Sequence, residues 1–284
     1  MTPVIQSLSE ISSRYDALFC DLWGCVHNGQ QAYPAAIAAL RAFRAKGGVV
    51  ALLTNAPRPS DQVAAGFARL GIPADAFDLV VSSGDAAAEA LAAGMVGQKV
   101  YHIGPAKDDG LFRLAPAVTR VALADAEGIV CTGPFHEDTE TPADYRGSFL
   151  LAQSMRLKLL CANPDLIVDL GDKRIYCAGA LAQLYDQMGG ESLYFGKPHS
   201  PIYQLVRNRL AARGIEDDRI LCIGDGIGTD VAGGIAEGLD TLFVTGGLAA
   251  AEFGTDPDAP DPVLLTAWLA SQTASPTAAI GRLR

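Results

Sequence analysis

The sequence predicts an α/β protein, a doubly wound parallel sheet interrupted by a second, smaller α/β module. Three observations carry this. Short apolar runs recur along the chain without strict alternation, the pattern of strands buried on both faces. Amphipathic helical stretches lie between several of them, as crossover connections in a parallel sheet require. The middle third loses that regularity and is richer in loops, which marks a separate module.

The apolar runs in order are ALFC (17–20), VVALL (49–53), LVVS (79–82), VYHI (100–103), GIVCT (128–132), LKLLC (157–161), LYF (193–195), ILCI (220–223) and TLFV (241–244). After the second run, Ser60 is placed to cap a helix carrying Val63, Phe67 and Leu70 on one face, closed by Gly71. Ser200-Pro201 opens another, with Ile202, Leu205 and Leu210 inward and Gly214 at its end. Between residues 83 and 190 the helices are less regular, with loops such as GPAKDDG and GPFHEDTETPADY. The expected organisation is therefore a core from residues 1–82 and 191–284, with 83–190 inserted as a cap domain. The tail SQTASPTAAIGRLR is Ser/Thr/Ala-rich and weakly periodic, and is expected to be loosely held.

Composition bounds the function. The chain has 284 residues, enough for a substantial core without disulfides or a structural metal, and 49% of them are hydrophobic, which excludes a mainly disordered chain. Asp and Glu outnumber Lys and Arg by 32 to 22, a net charge of −10 that argues against nucleic acid or an anionic membrane as a general partner. Phosphate substrates stay open if a cation or local donors neutralise them. Cys20, Cys25, Cys131, Cys161, Cys177 and Cys222 show neither a C-x-x-C pair nor metal-ligand spacing, so buried, reduced thiols are expected. The N-terminus lacks a basic lead and continuous apolar segment, and no uncharged apolar stretch approaches the ~20 residues of a spanning helix. The expected location is the cytoplasm.

The chemistry-bearing residues share one position: each follows an apolar strand. Asp21 follows ALFC, Thr54 and Asn55 follow VVALL, Lys197 follows LYFG, and Asp225 follows ILCIG. Ligands of an open parallel sheet bind outside these strand ends, so distant residues converge there. Asp21, Asp225 and Asp230 then ask for a hard cation with oxygen ligands, most naturally Mg²⁺.

In these residues the chain resembles the haloacid dehalogenase (HAD) superfamily. Motif one is DLWG (Asp21 to Gly24), motif two TN (Thr54, Asn55), motif three GKP (Gly196 to Pro198) and motif four GDGIGTD, with Asp225 and Asp230. Each is weak alone; all four in order, each at a strand end, make a strong signal. A cap between motifs two and three looks like the type IIA branch, which includes nucleotide, sugar, 4-nitrophenyl and pyridoxal phosphate phosphatases. The NPD tripeptide (Asn163 to Asp165) is similar to one in that branch. The resemblance implies a Mg²⁺-dependent hydrolase of a small phosphorylated metabolite, with Asp21 as the nucleophile that forms an aspartyl-phosphate. It further implies Asp21, the Trp23 main-chain carbonyl and Asp225 as metal ligands, with Asp230 as another ligand or an orienting group. Thr54 donates to a phosphoryl oxygen and Lys197 offsets charge. Trp23, Asn55, Arg58 and Asn163 are the substrate-binding candidates, Asn55 through its main chain. Type IIA relatives commonly associate through their caps, so a homo-oligomer is expected.

One position departs from the family. Its phosphatases carry D-x-D in motif one, the second Asp protonating the leaving group and later activating water; here that position is Trp23. An indole is a donor only and exchanges no proton near neutral pH. General acid–base catalysis contributes typically ~10²–10⁴-fold. Three outcomes stay open: His27 or Arg58 takes over the proton; the enzyme is slow or restricted to good leaving groups such as acyl phosphates, phenolic esters or phosphoanhydrides; or the site binds a phospho-ligand with little turnover, as a sensor or scaffold. Plainer readings stand beside these. Asp230 sits where a helix's first turn favours an acid anyway, and His102, His136 and His199 read as ordinary loop or strand-end residues.

Overall fold

A computed structural model describes residues 2–170, 173–215 and 219–284. Its strands run in chain order as β1 (Ala17–Asp21), β2 (Val49–Thr54), β3 (Leu79–Ser82), β4 (Lys99–Ile103), β5 (Thr119–Arg120), β6 (Gly128–Cys131), β7 (Lys158–Cys161), β8 (Ile167–Leu170), β9 (Lys173–Tyr176), β10 (Glu191–Tyr194), β11 (Ile220–Gly224), β12 (Asp240–Val244) and β13 (Ala278–Ile280). The helices are α1 (Pro34–Ala45), α2 (Ser60–Ala65), α3 (Phe67–Leu70), α4 (Ser83–Ala92), α5 (Arg146–Ser154), α6 (Ala178–Gln187), α7 (Ser200–Ala211), α8 (Ala232–Ala236) and α9 (Pro262–Ala270). Two compact units emerge, one of Met1–Thr54, Ala64–Val81 and Tyr203–Arg284, the other of Asn55–Val63 and Ser82–Ile202. The segment 83–190 expected as the cap lies within the second, which also takes 55–63 and 191–202, expected in the core.

The first unit is built on a six-stranded sheet of order β13-β12-β11-β1-β2-β3. β1 pairs parallel with both β2 and β11, and β11 continues parallel into β12 and β13. β1 and β11 are buried along their whole length, which explains why ALFC and ILCI show no polar alternation. The chain steps outward from β1 through β2 to β3, then returns to build β11, β12 and β13 on the other side. The order therefore reverses between β1 and β11, the position where ligands of open parallel sheets bind. In the same unit α1 starts with Pro34 in its first turn and buries Ala36, Ile37, Leu40 and Phe43. α9 is capped by Asp261, whose carboxylate accepts from the amides of Val263 and Leu264 at 2.8 and 3.0 Å.

The second unit has its own five-stranded parallel sheet, β10-β7-β6-β4-β5, and an antiparallel pair, β8 with β9. Its core gathers Phe149, Leu181, Tyr185, Leu159 and the Cys131 and Cys161 side chains. The α/β class, the parallel core sheet and the smaller α/β cap expected from the sequence are thus present. All six cysteines are free and buried. No helix among the described residues is long and apolar enough to cross a membrane.

Three local expectations differ. The tail is not loose: Ala278, Ala279 and Ile280 form β13 at the edge of the core sheet, and Leu283 is buried as well. Pairing with β12 and the Val4 bridge secures a segment whose composition alone looks like a linker. The Ser60 helix is two pieces, because Gly66 separates α2 from α3; Gly71 does end the second, in the left-handed conformation. The pair β8 and β9 and the two-residue β5 were not among the expected strands, although Leu166-Ile167-Val168 is an apolar run at β8.

In the first unit, Phe243 and Trp268 stack at 5.7 Å while Phe253 meets both edge-on at 6.0 and 5.1 Å. Phe243 is fully buried at the centre of this cluster. Phe243→Ala is therefore expected to cost about 3–5 kcal/mol, read as a lowered urea midpoint for the unit that contains β12.

Candidate active site

The first unit places Asp21 and Asp225 at the reversal point of its sheet. Asp21 is the last residue of β1, opposite Leu53 of β2, and is 8% exposed. Asp225 follows β11 directly, and Thr54 ends β2 on the other flank of β1. Local sequence enforces the approach. Gly24 is left-handed (φ 77°), and a Cβ there would stand 1.9 Å from Asp225 Oδ2. A Cβ on Gly247 would come within 2.1 Å of the same oxygen. The carboxylate is thus seated between two stretches of bare backbone, and its Oδ2 accepts the Leu248 amide at 2.8 Å. No side chain other than hydrogen fits either place.

The turn after β1 adds a third potential ligand. The amides of Val26 and His27 both donate to the Leu22 carbonyl, which folds the chain back on itself. Cys25 is thereby carried inward, and one donor atom each from Asp21, Cys25 and Asp225 lie within 4.8 Å of one another. Burial, then Asp225 and Asp21, push the Cys25 thiol well above its ordinary value. Sequence reasoning had Cys25 only as a buried structural thiol; its place in DLWGC, just past a glycine turn from Asp21, was the available signal. Asp230 lies near that trio, its charge adding to those that raise the Cys25 thiol. Its Oδ2 accepts from the Gly226 amide at 3.1 Å and the Thr229 hydroxyl at 3.3 Å, inside the π-helical turn Ile227–Val231. Its side chain packs where a Cβ on Gly224 would fall, so it braces the turn that presents Asp225.

Trp23 is half-buried and held from two sides. Its ring meets the His27 imidazole edge-on at 5.4 Å, and a Cβ on Gly29 would lie 2.4 Å from the indole. His27 Nδ1 accepts the Gly29 amide at 2.9 Å, which puts the ring proton on Nε2. Burial lowers the His27 pKa to about 4. The imidazole is neutral near pH 7, its single proton held on Nε2, which makes it a weak acid there. Its place is that of a wedge behind the indole.

The second unit assembles the other motif residues around Asn55. The Asn55 amide nitrogen donates to Asp165 Oδ1 at 2.8 Å and to the Lys197 carbonyl at 3.0 Å, while its oxygen accepts the Lys197 amide at 2.7 Å. Both amide protons and the acceptor are spent on protein groups, so this side chain locks the backbone of motif three. Lys197 is 3% exposed. Gly196 is required there, since a Cβ would collide with Asn55 Oδ1, Pro164 and Ser83 at 2.5–2.8 Å. Asn163 Oδ1 accepts the Asp165 amide at 3.0 Å, so the NPD tripeptide forms a self-capped turn that aims Asp165 at Asn55. Arg58 is elsewhere in this unit. Its guanidinium, 43% exposed, lies 3.7 Å from Asp108, a buried carboxyl whose pKa desolvation raises to about 6.

With this geometry in view, the known proteins that the chain matches are informative. The family model described as haloacid dehalogenase-like hydrolase matches residues 18–115, and the HAD-hydrolase-like model matches 194–268. A solved hydrolase of the haloacid dehalogenase-like family from Brucella suis 1330 is 40% identical over 99% of this chain and 100% of that one, with a TM-score of 0.86. The ribonucleotide monophosphatase NagD of Escherichia coli K12 is 26% identical, over 82% of this chain and 88% of its own. A glycerol phosphate phosphatase from Mycobacterium tuberculosis, solved in complex with magnesium, is 26% identical over 86% of this chain and 71% of that one (TM-score 0.65). The chain belongs to the haloacid dehalogenase-like hydrolase superfamily. Within it, the NagD-type relatives and the module between motifs two and three put it in the type IIA branch.

Two measurements follow from the site. NMR titration of His27 should show an imidazole that stays neutral down to about pH 4. The unfolded ring takes its proton near 6.5, so this group favours the native state above that pH. The advantage, up to about 3 kcal/mol, is lost as pH falls from 6.5 to 4. Asp165→Ala leaves an Asn55 donor without its carboxylate and is expected to destabilise the second unit by about 1–3 kcal/mol in urea unfolding.

Proposed function

We propose that this protein is a Mg²⁺-dependent phosphatase of a small phosphorylated metabolite, working through an aspartyl-phosphate on Asp21. The convergence of Asp21 and Asp225 at the reversal point of the core sheet carries the reading. Two carboxylates so close, one of them buried, offer hard oxygen donors at the spacing a divalent cation takes up. Their hard oxygen atoms fit Mg²⁺, with the Trp23 main-chain carbonyl as a further ligand and Asp230 as the group that orients Asp225. When bound, the cation neutralises charge between the carboxylates and the phosphate.

The steps belong to the chain. An Asp21 carboxylate oxygen attacks phosphorus as the ester bond breaks, and the leaving group departs with its electron pair. Water then attacks the acyl phosphate, releasing inorganic phosphate and restoring the Asp21 carboxylate. Thr54 donates to a phosphoryl oxygen, and Lys197 offsets the added negative charge. Trp23 sets the limit. Held by His27 and Gly29, it offers the leaving group a wall and an indole N–H but no acid proton. The enzyme is therefore slow, or selective for leaving groups that depart unprotonated. The relatives named for nucleotide and glycerol phosphate hydrolysis support a small phosphate ester as substrate. The same fixed indole favours one second reading, a phospho-ligand binding protein with little turnover.

Hydrolysis of 4-nitrophenyl phosphate against glycerol 3-phosphate, each with Mg²⁺, separates these. Turnover of the phenolic ester well above the alkyl ester is expected, with Asp21→Asn abolishing both. Trp23→Asp should raise alkyl-ester turnover towards the ~10²–10⁴-fold worth of an acid–base group. Tight binding of both esters with no hydrolysis of either would leave only the binding reading.

A further inference from the structure

We propose that Asp21, Cys25 and Asp225 form a mixed oxygen–sulfur site that takes thiophilic divalent cations, Zn²⁺ and Co²⁺ among them, with Cys25 Sγ as a ligand that Mg²⁺ does not use. This deepens the preceding proposal and rests on its assignment of Asp21 and Asp225 to a cation.

The geometry supplies three donors of two kinds. A carboxylate oxygen from each aspartate and the Cys25 sulfur lie mutually within 4.8 Å. A tetrahedral site with metal–oxygen bonds of ~2.0–2.2 Å and a metal–sulfur bond of ~2.3 Å spaces its donors by about 3.5 Å, so a contraction of at most about 1.3 Å closes the trio. Cys25 is completely buried, and among the described residues no hydrogen bond engages its sulfur. The side chain is held in place by the turn that returns the Val26 and His27 amides to Leu22, not by a polar partner. The charged groups it faces most strongly, Asp225 and Asp21, are both anionic. A cation placed among the three would reverse that disfavour, because a coordinating thiol is deprotonated outright. As the S–metal bond forms, the thiol proton leaves to solvent, one per metal bound.

The pairing of ligand types decides which cations gain. Mg²⁺ demands oxygen and keeps its waters, so the sulfur adds nothing to it. Zn²⁺ and Co²⁺ accept thiolate and carboxylate together, and Zn²⁺ is at home with four ligands, here three from the chain and one from solvent or phosphate. None of the other cysteines joins such a group among the described residues. Position 25 thus makes the site susceptible to capture by softer metals, which would displace Mg²⁺.

Titration of the metal-free full-length protein with Co²⁺ tests this optically. A sulfur-to-cobalt charge-transfer band in the near ultraviolet is expected, absent in Cys25→Ser and kept in Cys222→Ser. Zn²⁺ binding by calorimetry should weaken in Cys25→Ser by at least the 10–100-fold that losing a supporting group costs, with Mg²⁺ binding nearly unchanged. Cys25→Val, which keeps the volume, serves if the serine variant fails to fold; X-ray absorption on wild-type protein, showing a sulfur neighbour of cobalt, needs no variant. Cobalt that binds without a sulfur signature overturns the role of Cys25 and leaves the oxygen site standing. If neither Co²⁺ nor Mg²⁺ binds the wild type, the cation site and this proposal fall together.

Discussion

Two like charges held within a few ångströms organise the first unit. Asp21 and Asp225 arrive from adjacent strands at the one place where the strand order reverses, and bare backbone at Gly24 and Gly247 lets them stay there. Such an arrangement sets two carboxylate oxygens and a thiol side by side at the strand ends. Asp230 serves it from behind by closing the turn that presents Asp225. The acidic balance of the whole chain says nothing of this. What matters is that its local concentration sits at the sheet's switch point.

The second unit solves a different problem, holding a buried lysine's backbone still. Asn55 spends every hydrogen-bonding group of its side chain on Asp165 and on both backbone groups of Lys197. The NPD turn supplies the carboxylate, and Gly196 supplies the room. Residues far apart in sequence thus act as one fixture. The Asn55 side chain is engaged on both its nitrogen and its oxygen, and the Asn163 oxygen holds the turn that presents Asp165.

Trp23 and His27 show how a departure from a family pattern is accommodated. An indole is much larger than a carboxylate, and the loop after it answers with Gly29, where no Cβ obstructs the ring, and with a neutral, buried imidazole against its face. The burial that makes His27 a good wedge is also what keeps it neutral. Trp23 is thus supported on two sides, by His27 and by the open backbone at Gly29.

Much of this was legible in the sequence. Buried strands of a parallel sheet must be apolar throughout, so the core strands and the motifs at their ends could be read directly, and with them Asp21, Thr54 and Asp225; Lys197 instead follows β10, a partly exposed strand of the second unit's sheet. Pairwise geometry could not. Whether Cys25 turns towards Asp21, whether Asn163 faces ligand or its own loop, and whether Asp230 reaches the trio or its own turn depend on backbone direction after a glycine, and one-dimensional spacing does not carry that. Nor could composition see that the Ser/Thr/Ala-rich tail ends in β13, because an edge strand is made by its neighbour β12 as much as by its own residues. The sequence by itself determined the class of fold and the residues available for chemistry, since burial and motif order are local properties; only the tertiary structure decided which of them meet, because that is set by sheet register and turn handedness.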